Sequence, residues 1–254
     1  MRIGTCLPRP NGGHTCAVTR QNIYDDAEFF AGYERLREAD SGLNSAIEHP
    51  ALMGLLPDLL GLRVVDLGCG FGTTCRDFAM AGAASVVGVD PSERMLDIAR
   101  RIEHPAVSFI QSYAEDVDFR SGSVDVVVSS LALHYVEDLD ALFTRVRTWL
   151  APAGVLVFSI EHPVITASPD GQTDGGWLLR EYFRRGRRQT SWFVDGVVKY
   201  HRTVADVVTA LLTAGFRLEA LQEPEPIEGA VQRQPSLARH LDRPPLLMVR
   251  ATTS

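Results

Sequence analysis

The chain has 254 residues, with 45% hydrophobic and 22% charged residues, which excludes a mainly disordered protein and allows one domain with a sizeable core. Its net charge of -7 disfavours a protein built to hold a nucleic-acid backbone, and no apolar run approaches the roughly 18 residues of a membrane-spanning helix. We therefore expect a cytoplasmic protein with neither a nucleic-acid nor a membrane partner.

The cysteines show no metal-binding spacing. There is no CxxC pair and no histidine partner at zinc-finger spacing, so we expect no structural metal and reduced thiols. The four positions are Cys6, Cys16, Cys69 and Cys75.

The first predicted elements are helical. Residues 1–20 are rich in Gly, Pro, Cys and Thr without periodicity, which indicates an irregular leader. The apolar spacing in NIYDDAEFFAGYERLRE then predicts a helix behind aspartate caps. The stretch GLNSAIEHPALMGLLPDLL predicts a second helical segment, broken by Pro50 and Pro57. We assign residues 21–60 to a helical cap.

Residues 61–160 alternate short valine-rich runs with amphipathic segments, as in a parallel sheet buried on both faces. The predicted strands are Arg63 to Leu67, Ser85 to Val89, Val107 to Gln111, Asp125 to Ser129 and Val155 to Ile160. The helices between them are Thr73 to Ala81, Ser92 to Ile102 and Leu139 to Leu150.

The alternation stops at residues 161–202, where Gly, Pro, Arg and six aromatic residues suggest a lid or hairpin inserted after the fifth strand. Residues 203–254 then give a helix and two closing strands. We expect one α/β domain with a doubly wound, Rossmann-like, mostly parallel seven-stranded sheet whose last strand is antiparallel.

A glycine-rich turn, VVDLGCGFGTT, follows the first strand and suits a nucleotide-like ligand. A P-loop needs a lysine after its glycines, and none is present. The spacing G-x-G-x-G also differs from the dinucleotide fingerprint G-x-G-x-x-G. Asp66, before the glycines, would repel a pyrophosphate and attract an ammonium. Asp90, which ends the second strand, suits the hydroxyls of a ribose, and an NAD ribose would be served equally well. Only Asp66 and Asp90 together distinguish a ligand that carries an ammonium group and a ribose from NAD.

Several segments together resemble one family. VVDLGCGFGTTCRDFA, VVGVDPSERMLDIAR, QSYAEDVDF, SVDVVVSSLALHYVEDL and LAPAGVLVFSIEHP are similar, in order, to the motifs of class I S-adenosylmethionine-dependent methyltransferases. NIYDDAEFFAGY and GVVKYHRTVADVVTALLTAGF resemble flanking segments of a bacterial small-molecule branch, of the ubiquinone and biotin biosynthesis type. The resemblance implies S-adenosyl-L-methionine as cofactor.

The resemblance also implies site residues. The methionine part of the cofactor would lie on the backbone of Gly68 and Gly70, with Asp66 at its amino group and Asp90 at the ribose. The remaining implied contacts are Pro91 and Met95 at the adenosine, Ala114 and Glu115 at the adenine, Ser130 and Leu131 beside the sulfonium, and Tyr24 closing over the cofactor. The sequence departs from the family at Tyr113, where many members have Asp.

Three side chains are candidates for the chemistry, because they follow strands at the edge where such a sheet opens. His134 and His201 are candidate bases, and Glu161 is a candidate base or amine ligand. Trp177, Tyr182, Phe183, Trp192 and Phe193 are candidates for an aromatic wall, and Arg180, Arg184, Arg185, Arg187 and Arg188 for an anion contact or a solvated strip.

The expected function is methyl transfer to an O, N or C atom of a small metabolite, aromatic or anionic, in secondary metabolism. RNA or protein methylation disagrees with the net charge and with SSLA in place of an Asn-Pro-Pro-Tyr-type tetrapeptide. A non-catalytic cofactor-binding regulator is the third alternative. Either a monomer or a homodimer fits.

Overall fold

The structure is a computed structural model that describes residues 20–38 and 43–253. The predicted leader therefore lies almost wholly outside the described residues.

The N-terminal cap is helical, as the sequence predicts. A 3-10 turn, Ile23–Asp25, precedes helix α1, Ala27–Glu38. The Asp26 carboxylate accepts the backbone N–H groups of Glu28 and Phe29, at 3.0 and 2.9 Å, which confirms the aspartate cap.

The second helical segment differs from the prediction at Pro50. A π-helical turn, Asn44–Glu48, runs directly into α2, His49–Leu55. Pro50 stands in the first turn of α2, where its missing N–H is not required, and the expected break is absent. Pro57 does follow the end of the helix.

The core alternates strands and helices as predicted, with small shifts at the ends. The strands are β1 Arg63–Leu67, β2 Ser85–Asp90, β3 Val107–Gln111, β4 Val124–Ser129 and β5 Leu150–Glu161. The helices are α3 Thr73–Met80, α4 Glu93–Ala99 and α5 Leu139–Trp149. β5 begins earlier than predicted because extended backbone resumes directly after α5.

An insertion follows β5. It contains α6 Pro163–Ala167, a small hairpin of β6 Gln172–Thr173 and β7 Gly176–Trp177, and a longer hairpin of β8 Gly186–Trp192 and β9 Val194–His201. The chain then forms α7 Val204–Thr213, β10 Phe216–Gln222, α8 Ala230–Arg233, a 3-10 turn Pro235–His240, and β11 Leu246–Thr253.

The main sheet has seven strands in the order β10-β11-β5-β4-β1-β2-β3. Strands β1 to β5 pair in parallel, whereas β11 is antiparallel to both β5 and β10. This arrangement confirms the predicted fold, including the antiparallel last strand. It also places the carboxyl ends of β1, β2 and β4 side by side, because Asp66 lies opposite Gly88 on one neighbour and Val128 on the other.

The core lies on both faces of the sheet, which explains the continuous valine runs. Val65 and Val127 pack with α5 and α7 on one face. Val64 and Val126 pack with α2, α3 and α4 on the other. Across residues 20–38 and 43–253, no helix has the length and apolarity needed to cross a membrane.

Candidate functional site

The glycine loop after β1 depends on backbone conformations that favour glycine. Gly68, Gly70 and Gly72 have φ angles of 80°, 53° and 71°. A Cβ on Gly68 would lie 2.3 Å from the Cβ of Ala132, so the loop packs against the turn after β4. A Cβ on Gly70 would meet no heavy atom within 4 Å, so the loop leaves open space there.

Asp66 lies under this loop with one carboxylate oxygen unpaired. Its side chain is 1% exposed, its Oδ2 accepts the Cys75 thiol at 3.4 Å, and its Oδ1 has no hydrogen-bond partner. Burial raises its pKa to about 7; the thiol opposes the shift, and the charges of Asp90 and Glu48 add to it. A buried, unpaired carboxylate oxygen beside open backbone suits a cationic donor such as an ammonium group.

Asp90 ends β2 on the other side of the loop. Its Oδ2 accepts the N–H of Gly70 and its Oδ1 accepts the N–H of Ser92, both at 2.9 Å. Burial raises the pKa of Asp90 to about 6, and the two backbone hydrogen bonds oppose the shift. Each oxygen keeps acceptor capacity for one more donor, as a pair of ribose hydroxyls requires.

The N-terminal segment is held against the loop that follows Asp90. Asp25 Oδ1 accepts the Ser92 hydroxyl at 2.6 Å, and Asn22 Nδ2 donates to the Pro91 carbonyl at 3.1 Å. Ser92 also caps α4 by accepting the N–H of Met95, whose side chain is 1% exposed. Residues 22–25 therefore form one wall beside Asp90.

Tyr24 lies in a group of aromatic rings. Its ring centroid is 4.9 Å from that of Phe29, 5.3 Å from Tyr33 and 6.1 Å from Tyr135, all in edge-to-face geometry. Burial raises the pKa of Tyr24 well above its ordinary value, so its hydroxyl stays protonated.

Ala114 and Glu115 follow β3, beyond Asp90. Ala114 is partly buried against the core, and the Glu115 carbonyl accepts a hydrogen bond from the Arg145 guanidinium. Tyr113, at the position of the family departure, donates its hydroxyl to the Arg20 carbonyl at 3.3 Å, and the Arg20 guanidinium lies 5.4 Å from its ring centroid.

The turn after β4 completes the edge of the sheet. The Ser129 hydroxyl donates to the Leu67 carbonyl at 2.7 Å. Leu131 has φ of 52°. Its N–H donates to two acceptors on Ser159, the backbone carbonyl at 3.1 Å and the side-chain hydroxyl at 2.9 Å. The Ser130 hydroxyl donates to Glu48 at 2.8 Å.

Comparison with known proteins identifies the family. A methyltransferase domain family model matches residues 65–158. The solved S-adenosylmethionine-dependent methyltransferase from Mesorhizobium loti is 40% identical, with a TM-score of 0.78 over 84% of this chain and 99% of that chain. The chain belongs to the S-adenosylmethionine-dependent methyltransferases.

Two further relatives differ in how much of this methyltransferase they match. An uncharacterised Haemophilus influenzae protein is 32% identical over 91% of this chain and 96% of its own length. A ubiquinone biosynthesis O-methyltransferase from Rhodopseudomonas palustris is 32% identical over only 39% of this chain and 40% of its own length. The long matches establish the enzyme class and its cofactor, S-adenosylmethionine, whereas the named relative matches part of the chain.

Glu161 of the methyltransferase forms an ion pair that the sequence did not indicate. Its Oε1 lies 2.6 Å from the Nζ of Lys199, a side chain that is 8% exposed. Lys199 also lies 5.9 Å from the ring centroid of Tyr135 and 5.5 Å from that of Trp192. Burial raises the pKa of Glu161, but Lys199 and His134 lower it more, so the carboxyl is ionised at neutral pH.

His134 is buried beside this pair. Its Nδ1 accepts the N–H of Glu161 at 3.4 Å. Burial lowers the pKa of His134 to about 4; Glu161 opposes the shift, and Lys199 adds to it. The ring is therefore neutral at pH 7 and carries its proton on Nε2. In this state it is a hydrogen-bond donor from Nε2.

His201 is wholly buried inside the insertion. Its Nδ1 is 2.8 Å from the Thr166 hydroxyl, and its Nε2 is 2.9 Å from the Tyr182 carbonyl. Both ring nitrogens thus have partners in the insertion, and neither is free for a substrate proton in this arrangement.

The five aromatic residues predicted to form a wall lie in different surroundings. Trp192 and Phe193 pack on α1, with centroids 5.3 and 5.5 Å from that of Phe29. Trp177 donates to the Val164 carbonyl at 3.2 Å, and Tyr182 accepts the N–H of Val204, also at 3.2 Å. The remaining member, Phe183, is 78% exposed.

The arginine cluster is largely a solvated strip with local ion pairs. Arg185 donates to both carboxylate oxygens of Asp206, at 2.9 and 3.0 Å, and Arg184 pairs with Glu181 at 3.1 Å. The structure does not bring these arginines to Asp66 or Asp90.

Sequence reasoning missed Glu48, Lys199 and Cys75, which contact the site from the cap, the insertion and α3. Glu48 in particular gave no motif. Its only signal was an acid inside an otherwise apolar helical stretch.

Proposed function

We propose that this methyltransferase methylates an O, N or C atom of a small-molecule metabolite. The observation that carries the proposal is a cluster of aromatic rings, the aromatic roof, formed by Tyr24, Phe29, Tyr33, Tyr135 and Trp192. It reaches the ends of β4 and β5 through Tyr135, in the turn after β4, and through Trp192, which lies beside Lys199. Such a roof suits a compact, flat or partly apolar acceptor more than a folded polymer.

For the cofactor, we propose that Asp66 holds the amino group beside the backbone of Gly68 and Gly70, and that Asp90 holds the ribose hydroxyls. The unpaired Oδ1 of Asp66 and the spare acceptor capacity of Asp90 support these roles. The remaining roles implied by the family resemblance are retained as proposals for Tyr24, Pro91, Met95, Ala114, Glu115, Ser130 and Leu131.

The bound cofactor supplies an activated methyl group on a sulfonium, so the protein has to align the acceptor and exclude water. We assign alignment to His134 and to the Glu161–Lys199 pair. His134 would donate from Nε2 to an acceptor oxygen, and Glu161 would accept from an acceptor N–H or O–H. His201, with both nitrogens engaged, is assigned to holding the insertion together.

The partial match to the ubiquinone biosynthesis O-methyltransferase supports a small-molecule acceptor. The net charge of -7 argues against the runner-up, an RNA methyltransferase.

A labelled-methyl screen tests the acceptor class. Labelled S-adenosylmethionine is incubated with the enzyme and with separate pools of metabolites, tRNA and protein. We expect label in the metabolite pool, and heat-inactivated enzyme provides the blank. Label in tRNA or protein alone would overturn the proposal. If His134→Ala and Glu161→Gln both kept full turnover, neither residue would align the acceptor or act as its base, and the proposed roles of both would be overturned.

A further inference from the structure

A buried carboxylate reaches the site from the N-terminal cap. Glu48 is the last residue of the π-helical turn Asn44–Glu48 and is 0% exposed. Its Oε2 accepts Asn44 Nδ2 at 2.8 Å, while its Oε1 accepts the hydroxyls of Ser130 and Ser159 at 2.8 and 2.7 Å. Three donors from three parts of the chain therefore converge on one acid.

The two serines connect this acid to the turn after β4. The Ser159 hydroxyl accepts the N–H of Leu131 at 2.9 Å and donates its own hydrogen bond to Glu48 at 2.7 Å. Leu131 has φ of 52°, a conformation that is unfavourable for a non-glycine residue and persists only where its surroundings hold it. Its N–H donates to both the carbonyl and the hydroxyl of Ser159, and Glu48 fixes the second of these two acceptors.

The same turn packs on the cofactor loop. The Cβ of Ala132 lies only 2.3 Å from the position that a Cβ on Gly68 would take. The Ser129 hydroxyl donates a hydrogen bond to the carbonyl of Leu67. A movement of the turn towards the glycine loop would therefore press the Ala132 side chain against Gly68, because no room for a Cβ remains between them.

We propose that Glu48 is a positioning residue of the cofactor site: through Ser130 and Ser159 it holds the turn Ser130–Ala132 against the glycine loop. The inference rests on the proposed location of the cofactor at that loop. It does not depend on the identity of the acceptor.

The test compares three variants by S-adenosylmethionine calorimetry and by hydrogen exchange of the apo protein at Leu131. Glu48→Ala removes the acceptor. Glu48→Gln keeps an oxygen for both serine hydroxyls, and the Asn44 amide can rotate to present its own oxygen to the new NH₂ group. Leu52→Ala is the matched control, since Leu52 is a fully buried residue of the next helix, α2, and belongs to the apolar core.

We expect Glu48→Ala to weaken S-adenosylmethionine binding about tenfold and to speed exchange at Leu131, since the hydroxyls of Ser130 and Ser159 lose their buried acceptor. Glu48→Gln should stay within about threefold of the wild type, as should Leu52→Ala at a temperature where it is folded. If Glu48→Ala does not fold, Ser159→Ala should show the same two changes.

Wild-type affinity and exchange in Glu48→Ala, or in Ser159→Ala where it replaces an unfolded Glu48→Ala, would overturn the proposal. Equal losses in Leu52→Ala or no rescue in Glu48→Gln would overturn it as well. Absence of S-adenosylmethionine binding by the wild-type protein would instead overturn the proposed cofactor site, so the two failures are distinguishable.

Discussion

The negative charge of Asp66 suits the proposed cofactor but lowers the stability of the apo protein. Its pKa of about 7 means that the apo protein holds a buried carboxylate with an unpaired oxygen at pH 8. Because this folded-state pKa lies above the unfolded value of about 4, its contribution to stability is present at low pH and is lost as pH rises through 7. Asp66→Asn should therefore make the apo protein more stable than the wild type at pH 8, with the difference narrowing as the pH falls from 7 towards 4. Thermal unfolding at pH 8 and at pH 4 measures this.

The same substitution should weaken S-adenosylmethionine binding at pH 8 by about tenfold or more, since it removes the negative charge that suits the ammonium group. Wild-type affinity should also fall as pH drops from 8 to 5.5, where Asp66 and then Asp90, with a pKa of about 6, become protonated. A wild-type affinity that does not change over this range would contradict the role of both acids.

The ion pair between Lys199 and Glu161 can be tested in the same way, by substitution of single residues. Lys199→Met leaves Glu161 without its cation. Because the Glu161 side chain is 25% exposed, we expect a loss of about 2 kcal/mol, which is less than for a wholly buried pair. Chemical denaturation should show this loss, and the double variant Lys199→Met/Glu161→Gln should recover part of it. The single variant Glu161→Gln completes the comparison. If Glu161→Gln destabilises Lys199→Met as much as it destabilises the wild type, the two residues are not coupled.

At the scale of elements, the β8–β9 hairpin acts on the site through Trp192. Its ring lies 5.3 Å from Phe29 on α1 and 5.5 Å from the Nζ of Lys199. Trp192→Ala should destabilise the protein by about 2 kcal/mol, less than for a fully buried tryptophan, and should weaken S-adenosylmethionine binding by opening the roof. Phe183→Ala is the control within the same insertion, because Phe183 is 78% exposed, and it should change neither quantity by more than about 0.5 kcal/mol. If Trp192→Ala and Phe183→Ala changed stability and S-adenosylmethionine affinity equally, the role given to Trp192 would be refuted.

The elements differ in how well their sequences predict them. The strands β1, β2 and β4 follow from their valine runs, because a strand buried on both faces has no polar face to interrupt it. The insertion has no such regularity, so its hairpin and the burial of His201 depend on contacts with distant segments. Glu48 could not be assigned for the same reason: its partners Ser130 and Ser159 are 82 and 111 residues away in the sequence. The glycine loop and its two acids were predictable because their chemistry is local.

At the scale of the whole molecule, the site is made where β1, β2, β4 and β5 end, with the N-terminal cap and the insertion closing over it. Asp66, Asp90 and Glu48 bring three buried acids to this edge. An accumulation of negative charge at the glycine loop favours a cationic ligand over a pyrophosphate, which is the difference between S-adenosylmethionine and NAD.

Calorimetric titration with S-adenosylmethionine, NADH and ATP at pH 8, on the wild type and Asp90→Asn, tests this most directly. We predict that the wild type binds S-adenosylmethionine at one site and neither nucleotide, and that Asp90→Asn loses at least about tenfold in affinity, since the ribose hydroxyls lose a charged acceptor. Binding of NADH without S-adenosylmethionine, or full S-adenosylmethionine affinity in Asp90→Asn, would contradict the account.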